Sequence, residues 1–94
     1  MVKEIREFVT LLGKRFRTRP ELRDIRLRVI IIVLCSYDEP LSHACITELL
    51  STTDKTSRRL RSILVDTGYA TESFNNREIM LSPTQKARDL VIEK

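Results

Sequence analysis

Two glycines and three prolines are all the strong chain-breakers in these 94 residues. A turn-rich all-β fold or a set of disordered linkers needs more of them, so helices are expected to dominate. A chain this short encloses one hydrophobic core, which makes residues 1–94 a single domain. The longest apolar run, Val29 to Cys35, falls well short of the roughly 20 residues that cross a bilayer. The N-terminus alternates charged with apolar residues and carries no signal-peptide core, so the expected setting is cytoplasmic, with no membrane partner.

Apolar periodicity divides the chain into elements. Ile5, Phe8, Val9, Leu12 and Phe16 recur at helical spacing and define an amphipathic first helix from Lys3 to Phe16, which Arg17 to Pro20 breaks. A second helix is expected from Pro20, with Leu22, Ile25, Val29, Ile32 and Val33 in period. Its apolar, β-branched end suits a helix buried on several sides, and Tyr37 to Pro40 turns the chain.

Ser42 is placed to cap a short helix reaching Leu50, and Ser51 to Thr53 interrupt it. Thr53 or Asp54 then caps a helix that buries Leu60, Ile63 and Leu64 and stops at Gly68. Tyr69–Ser73 and Glu78–Ser82 read as the two strands of a hairpin turning through Phe74, Asn75, Asn76 and Arg77. Ser82 as cap and Pro83 as first residue open a last helix with Ala87, Leu90 and Val91 on its apolar face. The domain thus divides into 1–28 (first helix and start of the second), 42–67 (helix-turn-helix), 69–82 (hairpin) and 83–93 (last helix).

Chemistry is sparse along this frame. Cys35 and Cys45 form no CxxC pair, and His43 is the single histidine, so no metal site is expected and no cofactor is implied. Both cysteines lie in apolar stretches, where a free thiol behaves as a small hydrophobe. Without a nucleophile beside an acid-base pair, the chain is not expected to be an enzyme.

The net charge of +4 is concentrated in two clusters, one from Lys14 through Arg28 and one comprising Lys55, Arg58, Arg59 and Arg61. Such clusters suit a polyanion or a solvated charged surface, and their position has to discriminate. Arg19, Arg23 and Arg26 would share one face of the second helix. They either extend an anion-binding footprint or pair with the interleaved Glu21 and Asp24.

Pro40-Leu41-Ser42, Ile46-Thr47-Glu48-Leu49-Leu50, Ser57-Arg58-Arg59-Leu60 followed by Ile63-Leu64, Gly68-Tyr69, and Leu81-Ser82-Pro83 follow one another between about Val29 and Glu93. In that order and spacing the chain resembles the MarR-like winged helix regulators. The resemblance implies a mainly α winged helix-turn-helix fold with a small β-hairpin. The implied function is double-stranded DNA binding by a small transcriptional regulator, expected to be a repressor and a homodimer. The alternative is a winged helix used as a protein-interaction module in a larger assembly.

The residues fit that expectation. A helix from Asp54 to Thr67 enters a major groove about 12 Å wide if its outer face carries donors. Lys55, Ser57, Arg58 and Arg61 are the expected contacts to base edges, Arg59 reaches a phosphate from the flank, and Thr56 turns inward. Arg77, with Asn75 and Asn76, is expected at the tip of the wing against phosphate or the minor groove. Ser42 and His43 serve either as a helix cap or as phosphate donors. The apolar faces of the first and last helices either form the dimer surface or complete the monomer core.

Overall fold

The computed structural model describes residues 16–37 and 39–91. The expected first helix lies outside these residues except for Phe16, which is buried. Pro20–Leu22 form a single 3-10 turn, and the first described helix, α1 (Ile25–Ser36), starts only after Asp24. The expectation of one helix running on from Pro20 is therefore corrected. The Asp24 carboxylate accepts the Arg26 backbone N–H at 2.9 Å, a local cap that restarts the helix and resets its phase. Leu27, Ile30, Ile31 and Leu34 consequently form the buried stripe, and Ile25 points to solvent.

A two-residue strand, β1 (Leu41–Ser42), leads into α2 (His43–Leu49). Ser42 caps α2 by accepting the Cys45 N–H at 3.1 Å. Helix α3 (Asp54–Asp66) follows a turn in which Ser51 adopts a positive φ, and Thr53 caps it by accepting the Thr56 N–H. Gly68, with φ of 85°, ends α3. Its N–H donates to the Val65 carbonyl while the Tyr69 N–H donates to Leu64, the paired bonds of a Schellman motif that need a left-handed residue at this point.

Strands β2 (Ala70–Asn75) and β3 (Glu78–Pro83) then form the hairpin, and α4 (Gln85–Val91) ends the described chain. The sheet is antiparallel in the order β1-β3-β2, with Leu41 opposite Leu81 and Phe74 opposite Ile79. Strand β1 went unread in the sequence because two residues are too few to show alternation. The hairpin is longer than expected, since Phe74 and Asn75 pair across it and only Asn76 and Arg77 turn. Ser82 and Pro83 belong to β3, not to the last helix. Thr84 caps α4 instead, accepting the Ala87 N–H at 3.3 Å.

Helix α1 packs against α3, α4 and β3, so it is the central helix its apolar composition suggested. Around it close Ile46 of α2, Leu60 and Leu64 of α3, Tyr69, Leu81, and Ala87, Leu90 and Val91 of α4. Each leucine or isoleucine among them, fully buried, contributes roughly 1.5 to 3 kcal/mol. Leu90 and Val91 are thus used inside the chain.

One polar contact ties the first turn to this core. The Tyr69 hydroxyl, on a ring that is itself buried, donates to Glu21 Oε1 at 2.7 Å, and the Lys86 ammonium lies over the ring at 4.5 Å. Burial, and then the Glu21 carboxylate, push the Tyr69 hydroxyl up to about 12. The same hydrogen bond holds the Glu21 carboxyl below its ordinary range.

Candidate nucleic-acid interface

Helix α3 presents two contrasting faces. Ser57, Leu60 and Leu64, at helical spacing, are buried against the core, while Lys55, Arg58, Arg59 and Ser62 are exposed. The expected outward position of Ser57 is corrected: its residue exposure is 1%. Its hydroxyl lies 2.8 Å from Thr47 Oγ1, which also bonds the His43 carbonyl at 2.9 Å. A satisfied buried hydroxyl pair holds α2 across α3, so Ser57 fixes the helix-turn-helix angle and is not available to a ligand. Thr56, expected to face inward, is half-buried at the start of α3, with its hydroxyl accepting from Thr53.

Arg61 is also not a free outer residue. Its side chain is only 13% exposed, and its Nη1 donates to His43 Nδ1 at 2.8 Å, while Nε lies 3.8 Å from Glu72 Oε2 of β2. That Nε is buried without a hydrogen-bond partner, so the guanidinium is incompletely satisfied. Arg61 therefore braces α2, α3 and the base of the wing.

A guanidinium can only donate, so the contact requires His43 Nδ1 to accept and places the imidazole proton on Nε2. Nε2 then donates to Asp54 Oδ1 at 2.7 Å. The other Asp54 oxygen pairs with Arg58 Nε at 2.8 Å. First the His43 hydrogen bond, and then the nearby Arg58 charge, hold the Asp54 carboxyl below its ordinary range against the opposing effect of burial. A continuous chain runs from Glu72 through Arg61, His43 and Asp54 to Arg58. The sequence offered no short-range signal for it, because His43 and Asp54 meet only once the two helices cross.

Arg58 stands at the exposed end of this chain, with 68% of its side chain accessible. Arg59 lies toward α1, where its charge is a minor contribution to the lowered Asp24 carboxyl, after the dominant Arg26 hydrogen bond. The second basic cluster is dispersed. Arg19 and Arg23 flank the 3-10 turn and do not share a helical face with Arg26. Arg26 pairs with Asp24 at 2.7 Å, and Arg28 donates to the Leu22 carbonyl and stacks over Phe16. For Arg26, local pairing is the observed alternative.

The hairpin tip carries exposed Asn75, Asn76 and Arg77. Asn76 and Arg77 have φ of 51° and 70°, the two left-handed residues of a tight hairpin turn. Arginine is an unusual residue for that conformation. Between this tip and the start of α2 lies a cleft of about 210 Å³, lined by His43, Ala44, Arg77, Glu78 and Ile79. Beside it Phe74 is 75% exposed.

Among the described residues no three His, Cys, Asp or Glu side chains gather as metal ligands, and no helix is long and apolar enough to cross a membrane. Cys35 and Cys45 are free thiols.

No family model and no curated protein matches the chain. Solved structures do. RV1404 from Mycobacterium tuberculosis superposes with a TM-score of 0.73 at 19% identity, covering 96% of this chain and 63% of that one. A MarR-family transcriptional regulator from Rhodococcus sp. RHA1 gives 0.72 at 13% identity, covering 96% and 64%. The transcriptional regulator Tm0710 from Thermotoga maritima gives 0.72 at 18%, with the same coverage. The chain thus spans about 63 to 64% of the length of these proteins, and it shares their fold.

Proposed function

We propose that this chain, which has the winged helix fold of the MarR-family regulators, binds double-stranded DNA in a sequence-specific manner as a small transcriptional regulator. The observation that carries the reading is one capped helix, α3, exposing Lys55, Arg58 and Arg59 beside a wing whose tip is Arg77. In this reading α3 enters the major groove, where Arg58 donates bidentately to guanine O6 and N7, and Lys55 and Arg59 meet phosphates. Asn75, Asn76 and Arg77 follow the adjacent backbone or minor groove. Ser57 and Arg61, expected from the sequence to contact DNA, act here by holding α3 in place.

The regulator works as a homodimer, because two half-sites about one helical turn apart add their contacts, and it represses by occupying the operator. Leu90 and Val91 are spent on the monomer core, so in this account the dimer surface lies elsewhere than on their face of α4. The chemistry described gives no support to an enzymatic reading. A protein-interaction module is the second reading, favoured by Phe74, an exposed aromatic side chain on the hairpin.

The test is selection of bound sequences from a random duplex pool, followed by sequencing. An enriched palindrome is the expected result; recovery of the pool's starting composition at every salt concentration contradicts sequence-specific binding.

A further inference from the structure

Helix α3 opens with a negative charge on the very edge that the proposed function turns toward DNA. The Asp54 side chain is 58% exposed, yet it is held in position on both oxygens, by His43 Nε2 at 2.7 Å and Arg58 Nε at 2.8 Å. His43 is fixed in turn by Arg61, so the carboxylate is oriented from behind by a neutral donor and not left to swing away. The free protein therefore presents Arg58 already occupied. Any DNA that recruits Arg58 must displace the Asp54 contact and leave that carboxylate beside a polyanion.

We infer that Asp54 is a specificity-determining residue of this surface, one that suppresses binding to arbitrary DNA more than binding to the cognate site. The inference rests on the DNA-binding reading above. Non-specific binding is almost wholly phosphate neutralisation, and a carboxylate that sequesters Arg58 subtracts from it without return. A cognate site compensates. Guanine O6 and N7 take Arg58 bidentately, and a neighbouring cytosine amino group donates to the Asp54 oxygen that Arg58 vacates. His43 is a positioning residue in this scheme, keeping the carboxylate where only such a donor satisfies it.

The experiment measures affinity of the full chain for a random-sequence duplex and for the duplex enriched by selection, over a salt series, in wild type, Asp54→Asn and, in parallel, Asp54→Ser. Asparagine preserves the shape of the exposed side chain and serine suits a helix start, so two independent replacements guard against a folding defect. The expected result is random-duplex binding tightened by about 3- to 5-fold, the scale of one exposed ion pair. The salt slope should steepen by about 0.9, one added phosphate contact. Preference for the enriched duplex should fall, with relaxed selection at one cytosine. In an Arg58→Ala background the Asp54→Asn gain should shrink, because the two residues act as a pair. Unchanged random-duplex affinity, or an equal gain on both duplexes, overturns the inference while leaving DNA binding intact. Failure of the wild type to bind either duplex overturns the DNA reading and this inference with it.

Discussion

Arg77 and Arg61 show how differently two arginines of one small domain are constrained. Arg77 holds a φ of 70° at the hairpin tip, a conformation that disfavours any residue with a Cβ. Arg77→Gly should therefore stabilise the fold by about 1 kcal/mol while weakening binding to all duplexes alike, a pairing of gain and loss that thermal melts and titrations read separately. A residue kept at a cost to stability fits a contact role for its side chain. Arg61 is the reverse case. It links His43 to Glu72 with little exposure, and Arg61→Ala should lower stability by about 1 to 3 kcal/mol in denaturant unfolding. Any change in base preference on its removal is confined to the position that Asp54 reads through His43, as expected of a brace and not a reader.

Among the elements, the clamp between the 3-10 turn and the wing base is the most open to titration. Tyr69 binds its proton more tightly in the fold, with its hydroxyl pushed up to about 12 from 10. The folded state is favoured wherever that proton is bound, so the stabilisation is complete below pH 10 and is lost as the pH climbs toward 12. Unfolding midpoints of wild type should fall by an amount equivalent to about 2 kcal/mol over that window. Tyr69→Phe should be nearly flat across the same window, apart from background lysine titration.

Element boundaries also show what sequence patterns can carry. Ser42, Thr53 and Gly68 act within a single turn of chain, and the capping and stop signals read from them match the hydrogen bonds. Phase was harder to read. In α1 the periodic series drawn from Leu22 and Ile25 missed the break at Asp24, so Ile25 was assigned to a core it does not enter. Ser57 failed for a related reason. Its polarity suggested solvent, whereas its spacing to Leu60 and Leu64 already placed it on the buried stripe, a position a serine can occupy only with a partner such as Thr47. The winged helix order was legible because each element is local. The network through His43 was not, because it depends on how helices cross.

At the scale of the whole molecule, a core built around α1 carries one charged helix, α3, and one exposed hairpin tip. Lys55 and Arg77 are exposed on these two elements, and Arg58 is exposed while paired with Asp54, whereas Arg28 and Arg61 are engaged within the chain. The most direct measurement compares the salt dependence of duplex binding by wild type and by the Lys55→Ala, Arg58→Ala, Arg77→Ala triple variant. The expected result is wild-type affinity falling steeply with salt, and a slope shallower by about 2 in the triple variant, one step for each of the phosphate-facing Lys55 and Arg77, with Arg58 lost from base contact. Identical slopes for the two proteins, or no binding by the wild type at low salt, would contradict it.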